Sequence, residues 1–373
     1  ALSDHEPQPP PQATGATPES ATLKEEAFTR AVALGLMDYL RRSRARGFVV
    51  SLSGGADSAA CVCLIRAMVE LSRKELGSAG FNAHLGHIST LRECDTADEV
   101  MRQLLTTAYQ RTSNSGPVTR DAARRLAEAI GATHYELDVD PIVKGYTSLI
   151  EGALDRPLTW DTDDLALQNI QARARAPGIW MLANIKGALL VSTSNRSEAA
   201  VGYATMDGDT AGGLSPVAGI DKAFLLQWLR WLETEGPQGM GAIGALDAVN
   251  VQIPTAELRP PGAHQTDEAD LMPYPVLDAI ERAAIRDRLN PLEVFKVVSR
   301  AMPERPQQQL GAWVERFFTL WCRNQWKRER YAPSFHLDDE NLDPKTWCRF
   351  PILSGGYEVE LAELRAYLKA EHL

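Results

Sequence analysis

With 373 residues, 44% of them hydrophobic and 24% charged, the chain has ample material for one large folded domain or two modest ones. A formal net charge of −10 argues against a protein that holds a nucleic-acid backbone, which needs a basic face. No run of residues approaches a membrane span and the N-terminus has no apolar signal-peptide core, so no membrane partner is expected.

Residues 1–21 are rich in Pro, Gln, Ala, Thr and Ser, and read as a disordered tail or linker. A folded domain is expected over 22–340, with 341–373 as a C-terminal extension. An amphipathic helix reads over 24–43, a short buried strand over 47–52 and a helix over 58–76. A second strand is expected at 83–88. Helices follow at 95–108 and 117–130, the latter ended by Gly131, and 133–137 resumes as strand. A long helix covers 164–185, and 188–193 is another buried strand. From about 267 onward the pattern is mostly helical. Strands separated by helices imply an α/β fold, a parallel sheet flanked by helices on both faces, followed by a mostly helical C-terminal part.

The five cysteines (Cys61, Cys63, Cys94, Cys322 and Cys348) are odd in number and scattered. They form no disulfide framework and suggest a reducing compartment, hence a cytoplasmic protein. Cys61 and Cys63 would point to different faces of a helix, and no second pair has zinc spacing.

The chemistry concentrates where the first strand ends. Ser53-Gly54-Gly55-Ala56-Asp57-Ser58 joins that strand to a helix, and ligands of open parallel sheets sit at the carboxyl ends of strands. Two adjacent glycines allow positive φ and close approach to a ligand. The exposed amides of the loop and of the helix N-terminus offer an anion site, to which Ser53 and Ser58 add hydroxyl donors. Asp57 would repel a polyphosphate unless it holds Mg²⁺ between them. The loop lacks the Gly-Lys pair of a Walker motif. Gly239-Met240-Gly241-Ala242-Ile243-Gly244 matches a dinucleotide fingerprint, but it follows a helix expected at 221–235 and lacks a βαβ setting, so it reads as a flexible loop.

Ser-Gly-Gly-x-Asp-Ser after a buried strand resembles the loop of the ATP-pyrophosphatase superfamily, whose members cleave ATP to AMP and pyrophosphate. Further blocks narrow the resemblance. Asn169-Ile170-Gln171-Ala172-Arg173-Ala174-Arg175 resembles the Asn-x-x-Ala-Arg-x-Arg helix of NAD synthetases. Thr193 to Glu198, with Val201-Gly202-Tyr203, Gly208-Asp209, Pro216 and Lys222, is similar to the block that follows in that family. Pro254-Thr255-Ala256-Glu257-Leu258, Gln265-Thr266-Asp267-Glu268 and Lys327-Arg328 continue the resemblance, which spans roughly residues 25–335.

The resemblance implies that the nicotinate carboxylate of deamido-NAD attacks the α-phosphate of ATP, and that ammonia then displaces AMP to give NAD. It implies Asp57 and Lys222 as catalytic residues and Asp57 and Glu198 as Mg²⁺ ligands. ATP would meet Ser51, Ser53, Gly54, Gly55, Ala56, Asp57, Ser58, Thr193, Lys222 and Thr255. Deamido-NAD would meet Asn169, Arg173, Glu198, Tyr203, Met206, Asp209, Lys327 and Arg328. The family pattern further implies a homodimer. Met206 and Gly213 stand where compact ammonia-using members carry Lys and Asp, so the chain looks more like the synthetase part of longer members. Those carry an amidase domain that frees ammonia from glutamine, which leaves a glutaminase domain or subunit as a further expected partner. Another ATP-pyrophosphatase ligase with a different acceptor is the alternative reading.

Overall fold

The computed structural model describes residues 18–252, 257–260, 266–352 and 354–371. Four strands, β1 (Phe48–Ser51), β2 (Leu105–Arg111), β3 (Thr133–Asp138) and β4 (Leu189–Val191), form a parallel sheet in the order β3-β2-β1-β4. The register pairs Val50 with Thr107 on one side and with Val191 on the other. The helices that frame the sheet are α1 (Pro18–Ser43), α2 (Ala56–His84), α3 (Ala97–Leu104), α4 (Pro117–Ala129), α5 (Asp140–Leu154), α6 (Trp160–Lys186), α7 (Arg196–Val201) and α8 (Lys222–Thr234).

Alternation along β1 divides the core. Phe48, Val50 and Leu52 face α1, α2 and α8, where Leu36, Leu64, Trp228 and Leu232 are buried with them. Val49 faces the other way, onto Ile179 and Ala183 of α6. The expected parallel sheet with helices on both faces is therefore present. The strand at the β4 edge is covered rather than exposed: Ser192 N–H donates to Leu214 O at 2.9 Å, and Ser215 N–H donates to Pro333 O at 2.8 Å.

Four features differ from the sequence reading. The strand expected at 83–88 is the end of α2 and the turn after it, and the sheet position next to β1 is taken by β2. The helix expected over 95–108 is cut short after Leu104, because Leu105 to Gln110 are buried as a central strand whose threonines suit a pleated surface. Thr96 and Glu99 form a capping box that starts α3. Gly77, at φ +66, bends α2 and lets its last turn carry Phe81 and Leu85 into the core, which gave that stretch its strand-like apolar content. The helix that opens the fold begins at Pro18, ahead of the expected 24. Helix α5 has no counterpart in the sequence reading.

The chain after α8 builds a second core. Tyr274, Phe295, Phe317, Trp321 and Leu364 pack there against Ala199 to Val201 of α7. The helix Glu358–Ala370 lies against the helices Pro291–Ala301 and Gln307–Arg323. Gly239 to Ile243 form a loop rather than a dinucleotide turn, and Gly244 opens a 3₁₀ turn.

Candidate active site

The loop after β1 turns on one glycine rather than two. Gly54 has φ +84, and a Cβ there would lie 2.0 Å from Thr119 O, so both conformation and space demand glycine. Gly55 has ordinary extended dihedrals (φ −89, ψ 168) and acts as the N-cap of α2. The serines bind the loop to itself. Ser53 N–H donates to Ser58 Oγ at 3.2 Å, Gly55 N–H to Ser53 Oγ at 3.2 Å, and Ser58 Oγ–H to Gly55 O at 3.1 Å. Ser58 is buried and Ser53 exposed, so the hydroxyl offered to a ligand is that of Ser53.

Three helix N-termini converge in front of this loop. Asp57 lies in the first turn of α2, Glu198 in that of α7, and Lys222 is the first residue of α8, capped by Asp221. The Lys222 ammonium makes a salt bridge to Asp57 and lies 3.9 Å from Glu198. Asn195, the N-cap of α7, accepts from Glu198 N–H at 2.9 Å and donates from Nδ2 to Asp57 at 2.8 Å. Burial opposes the charge on Lys222, but Asp57 and then Glu198 outweigh it and hold the pKa above the usual lysine value. Burial, and then the charge on Asp57, push the Glu198 carboxyl well above the carboxylate range against the pull of Lys222. The result is two carboxyl groups and one ammonium, largely desolvated, beside the first turn of α2, whose amides have no partners within the helix.

These groups line a cavity of about 280 Å³. Of the sequence-predicted residues, Ser51, Ser53, Gly55, Ala56, Asp57 and Ser58 line it from the loop side. Thr193, Glu198, Tyr203, Asp209 and Lys222 line it from the opposite side. Gly54 stands behind the loop and accepts from Gln252 Nε2 at 3.3 Å.

The remaining predicted residues support the rim instead. Asn169 accepts from Thr205 Oγ1 at 3.0 Å, and Arg173 Nε donates to Met206 O at 3.1 Å, which holds the 203–209 loop to α6. Lys327 donates to Gly202 O and Ala204 O at 2.6 and 2.8 Å, and burial lowers its pKa. Arg328 is buried away from the cavity. It donates to Ala200 O at 2.7 Å, at the C-terminal end of α7, and stacks 3.8 Å over Trp321. Thr255 lies outside the described residues.

Four further residues belong with the site. Asn195 and Ser194 fall inside the block that drew attention to Glu198, and a capping Asn before Arg-Ser-Glu was a readable signal for the first. Arg175, the second arginine of α6, lines the cavity and donates from Nε to Gln110 O at 3.1 Å. Asp267 reaches the cavity from the chain after α8 and accepts from Tyr274 O–H at 2.9 Å. The resemblance had marked its block without assigning Asp267 a role, and only the folded chain brings it to the cavity.

A glycine-turned loop at the carboxyl end of a parallel strand, facing a carboxylate–lysine–carboxylate set, defines an ATP-pyrophosphatase-type nucleotide-binding protein. Comparison with known proteins narrows the class: the NAD synthase family model matches residues 28–329, and the chain belongs to that family. It is 32% identical over 352 residues to the glutamine-dependent NAD(+) synthetase of Bos taurus, covering 88% of this chain and 49% of that protein. The corresponding protein of Homo sapiens is 31% identical, with 86% and 48% covered. The crystal structure of a glutamine-dependent NAD(+) synthetase from Cytophaga hutchinsonii superposes with a TM-score of 0.80 at 47% identity, covering 92% of this chain and 57% of that one. The NMN synthetase of Francisella tularensis, at 17% identity and a TM-score of 0.52, shares the fold. The chain thus spans about half the length of the curated relatives it matches.

Proposed function

We propose that this chain carries the synthetase reaction of its family: ATP-dependent conversion of deamido-NAD to NAD, with release of AMP and pyrophosphate. The observation that carries the reading is Lys222 set between Asp57 and Glu198 at the mouth of the Ser53–Ser58 loop. A carboxylate becomes an acceptor for ammonia only when one oxygen is turned into a good leaving group, and adenylation does this. That step asks for positioning and charge neutralisation more than for proton transfer.

In this reading the open amides at the start of α2 hold ATP phosphates, with the hydroxyl of Ser53 beside them. The Lys222 ammonium neutralises charge that builds on the phosphates as the nicotinate oxygen attacks the α-phosphorus and pyrophosphate leaves. Asp57 and Glu198 suit a magnesium ion. Among the described residues no cage of three or more His, Cys, Asp or Glu exists, and Mg²⁺ characteristically takes one or two carboxylates and completes its shell with phosphate oxygens and water. When bound, the ion supplies positive charge that lets a polyphosphate approach two carboxylates. Arg173, Tyr203, Met206 and Asp209 frame the side of the cavity that receives deamido-NAD.

Protein incubated with ATP, Mg²⁺, deamido-NAD and ammonium is expected to form NAD and AMP in equal amounts. Folded protein that forms neither refutes the reading. Ammonium serves this chain directly, and glutamine serves it only with an additional amidase domain or partner. Turnover with glutamine by the purified chain alone would overturn that assignment.

We also propose a homodimer built on α5 and α6, in a cytoplasmic setting. The support is apolar and unpaired: none of the residues of α5 is buried, Leu149 is 68% exposed, and Met181 and Ile185 of α6 are 62% and 73% exposed. Among the described residues no helix is long and apolar enough to cross a membrane. Leu149→Asp with Ile185→Asp is expected to halve the mass measured by light scattering, and an unchanged mass refutes this surface as the interface.

A further inference from the structure

Behind the site lies a group that the proposed chemistry does not use. Arg196, 1% exposed, is the first residue of α7, two positions before Glu198. Its Nη1 donates to Gly219 O at 3.0 Å and to both oxygens of Asp338 at 2.9 Å. Its Nη2 donates to Glu340 at 2.9 Å and to Asp221 at 3.3 Å, and Nε faces Glu281 at 2.7 Å. A guanidinium is a rigid fork of five N–H donors, and this one holds three separate elements at once. They are the loop that caps α8, the helix Tyr274–Glu281, and the segment 338–340 near the C-terminus.

The consequence for the site is geometric. A six-residue helix has little rigidity of its own, so the direction in which α7 presents Glu198 must come from what it is tied to. Asp221 caps α8, and the next residue is Lys222. Arg196 N–H donates to Ile220 O at 2.9 Å, and Lys222 N–H donates to Ser197 Oγ at 3.0 Å. The guanidinium thus closes a ring that includes the N-termini carrying Glu198 and Lys222. The C-terminal segment supplies its outer side. Glu340 also pairs with Arg282 at 2.8 Å, and a Cβ on Gly219 would lie 2.2 Å from Phe335 O, so the segment lies flush on the capping loop. The same segment reaches the site directly: Tyr331 Oη is 3.1 Å from Ser194 Oγ, which donates to Glu198 at 3.1 Å.

We propose that Arg196, held by Asp338 and Glu340, is a positioning residue that sets the separation of Glu198 and Lys222, and that residues 331–340, beyond the span of the family match, are a working part of this active site. The inference rests on the reading of Asp57, Glu198 and Lys222 given above. It predicts that loosening the segment weakens the hold on the metal and slows turnover without spoiling substrate binding.

The test uses the full chain with Glu340→Gln, Asp338→Asn and Arg196→Lys, and with Leu364→Ala in the second core as a control for general destabilisation. Steady-state kinetics are measured with ATP, deamido-NAD and ammonium. Calorimetric Mg²⁺ titration is run in the presence of α,β-methylene-ATP, and a thermal midpoint is recorded for each variant. Glu340→Gln and Arg196→Lys are expected to lower kcat and Mg²⁺ affinity about tenfold, the range seen for groups that orient metal ligands. KM for ATP and for deamido-NAD should stay within about twofold, as for a contact that matters only when the reacting groups must be aligned. Leu364→Ala should lower the midpoint at least as far and leave kcat and Mg²⁺ affinity unchanged. Wild-type kcat and Mg²⁺ affinity in the folded variants, or losses in all variants that simply track the midpoint, overturn the proposal. If Glu340→Gln or Arg196→Lys does not fold, Asp338→Asn decides, because that carboxylate is 40% exposed and costs little to neutralise. If the wild type binds Mg²⁺ and the nucleotide analogue but makes no NAD, the functional reading fails while the titration still tests the brace.

Discussion

Lys222→Met removes the cation that Asp57 and Glu198 share while keeping the length and most of the volume of the side chain. The ammonium is 2% exposed, is in contact with Asp57 and lies 3.9 Å from Glu198. At an effective dielectric of about 20, a unit pair at roughly 4 Å is worth about 4 kcal/mol. Taking one partner from a buried pair costs about 3–5 kcal/mol, because the remaining charge stays desolvated. Protonation of Glu198, whose carboxyl already sits well above the usual range, relieves part of that, so a loss of about 3 kcal/mol is expected at neutral pH. Urea unfolding followed by far-UV circular dichroism measures it. Turnover should fall by about 10²–10³, the usual loss when one preorganised group facing transition-state charge is removed. Mg²⁺ should restore stability to the variant more than to the wild type, since it supplies the missing positive charge. A stability change under about 1 kcal/mol together with turnover within tenfold of wild type would refute this account of the site.

Gly54→Ala should cost about 1–2 kcal/mol for the left-handed conformation and about 1–3 kcal/mol for the contact with Thr119 O, and should raise KM for ATP because the loop must shift. An unchanged urea midpoint would show that the loop does not depend on that turn. Glu281 gives a pH signature. Burial, with Glu340 and Asp221 nearby, raises its carboxyl to about 7 despite Arg196. A folded pKa above the unfolded value means the native state binds the extra proton. The stability this contributes is present below about pH 4.5 and is lost as pH rises through 7, on the order of 3 kcal/mol in all. Glu281→Gln should flatten the unfolding free energy between pH 5 and 7, and a profile that keeps the wild-type slope would show that another group titrates there.

Local chemistry in the chain was enough to place the phosphate loop. A buried strand, two glycines and a helix start fall within a dozen residues, and Gly54 meets a demand of its own backbone. The same holds for α4, α6, α8 and β3, whose ends carry their own signals, such as the left-handed Gly131 between α4 and β3. The second strand was not legible in this way. The apolar residues near 83–88 and the Thr-Thr run after Leu104 satisfy either secondary structure, and only the vacant edge of β1 chose β2 for the sheet. Of the site, Asp57, Glu198 and Lys222 could be named by resemblance, yet nothing local says that one ammonium lies between two carboxylates. That arrangement needs three helices to begin at one point. It also rests on Arg196, whose side-chain partners stand 23 to 144 positions away along the chain, and on residues 331–340, which local sequence placed at the end of the expected domain with no link to the site. Charges far apart in sequence can be paired only after burial has brought them together. For that reason the identity of the loop was written locally, and the geometry that makes it a site was decided by packing.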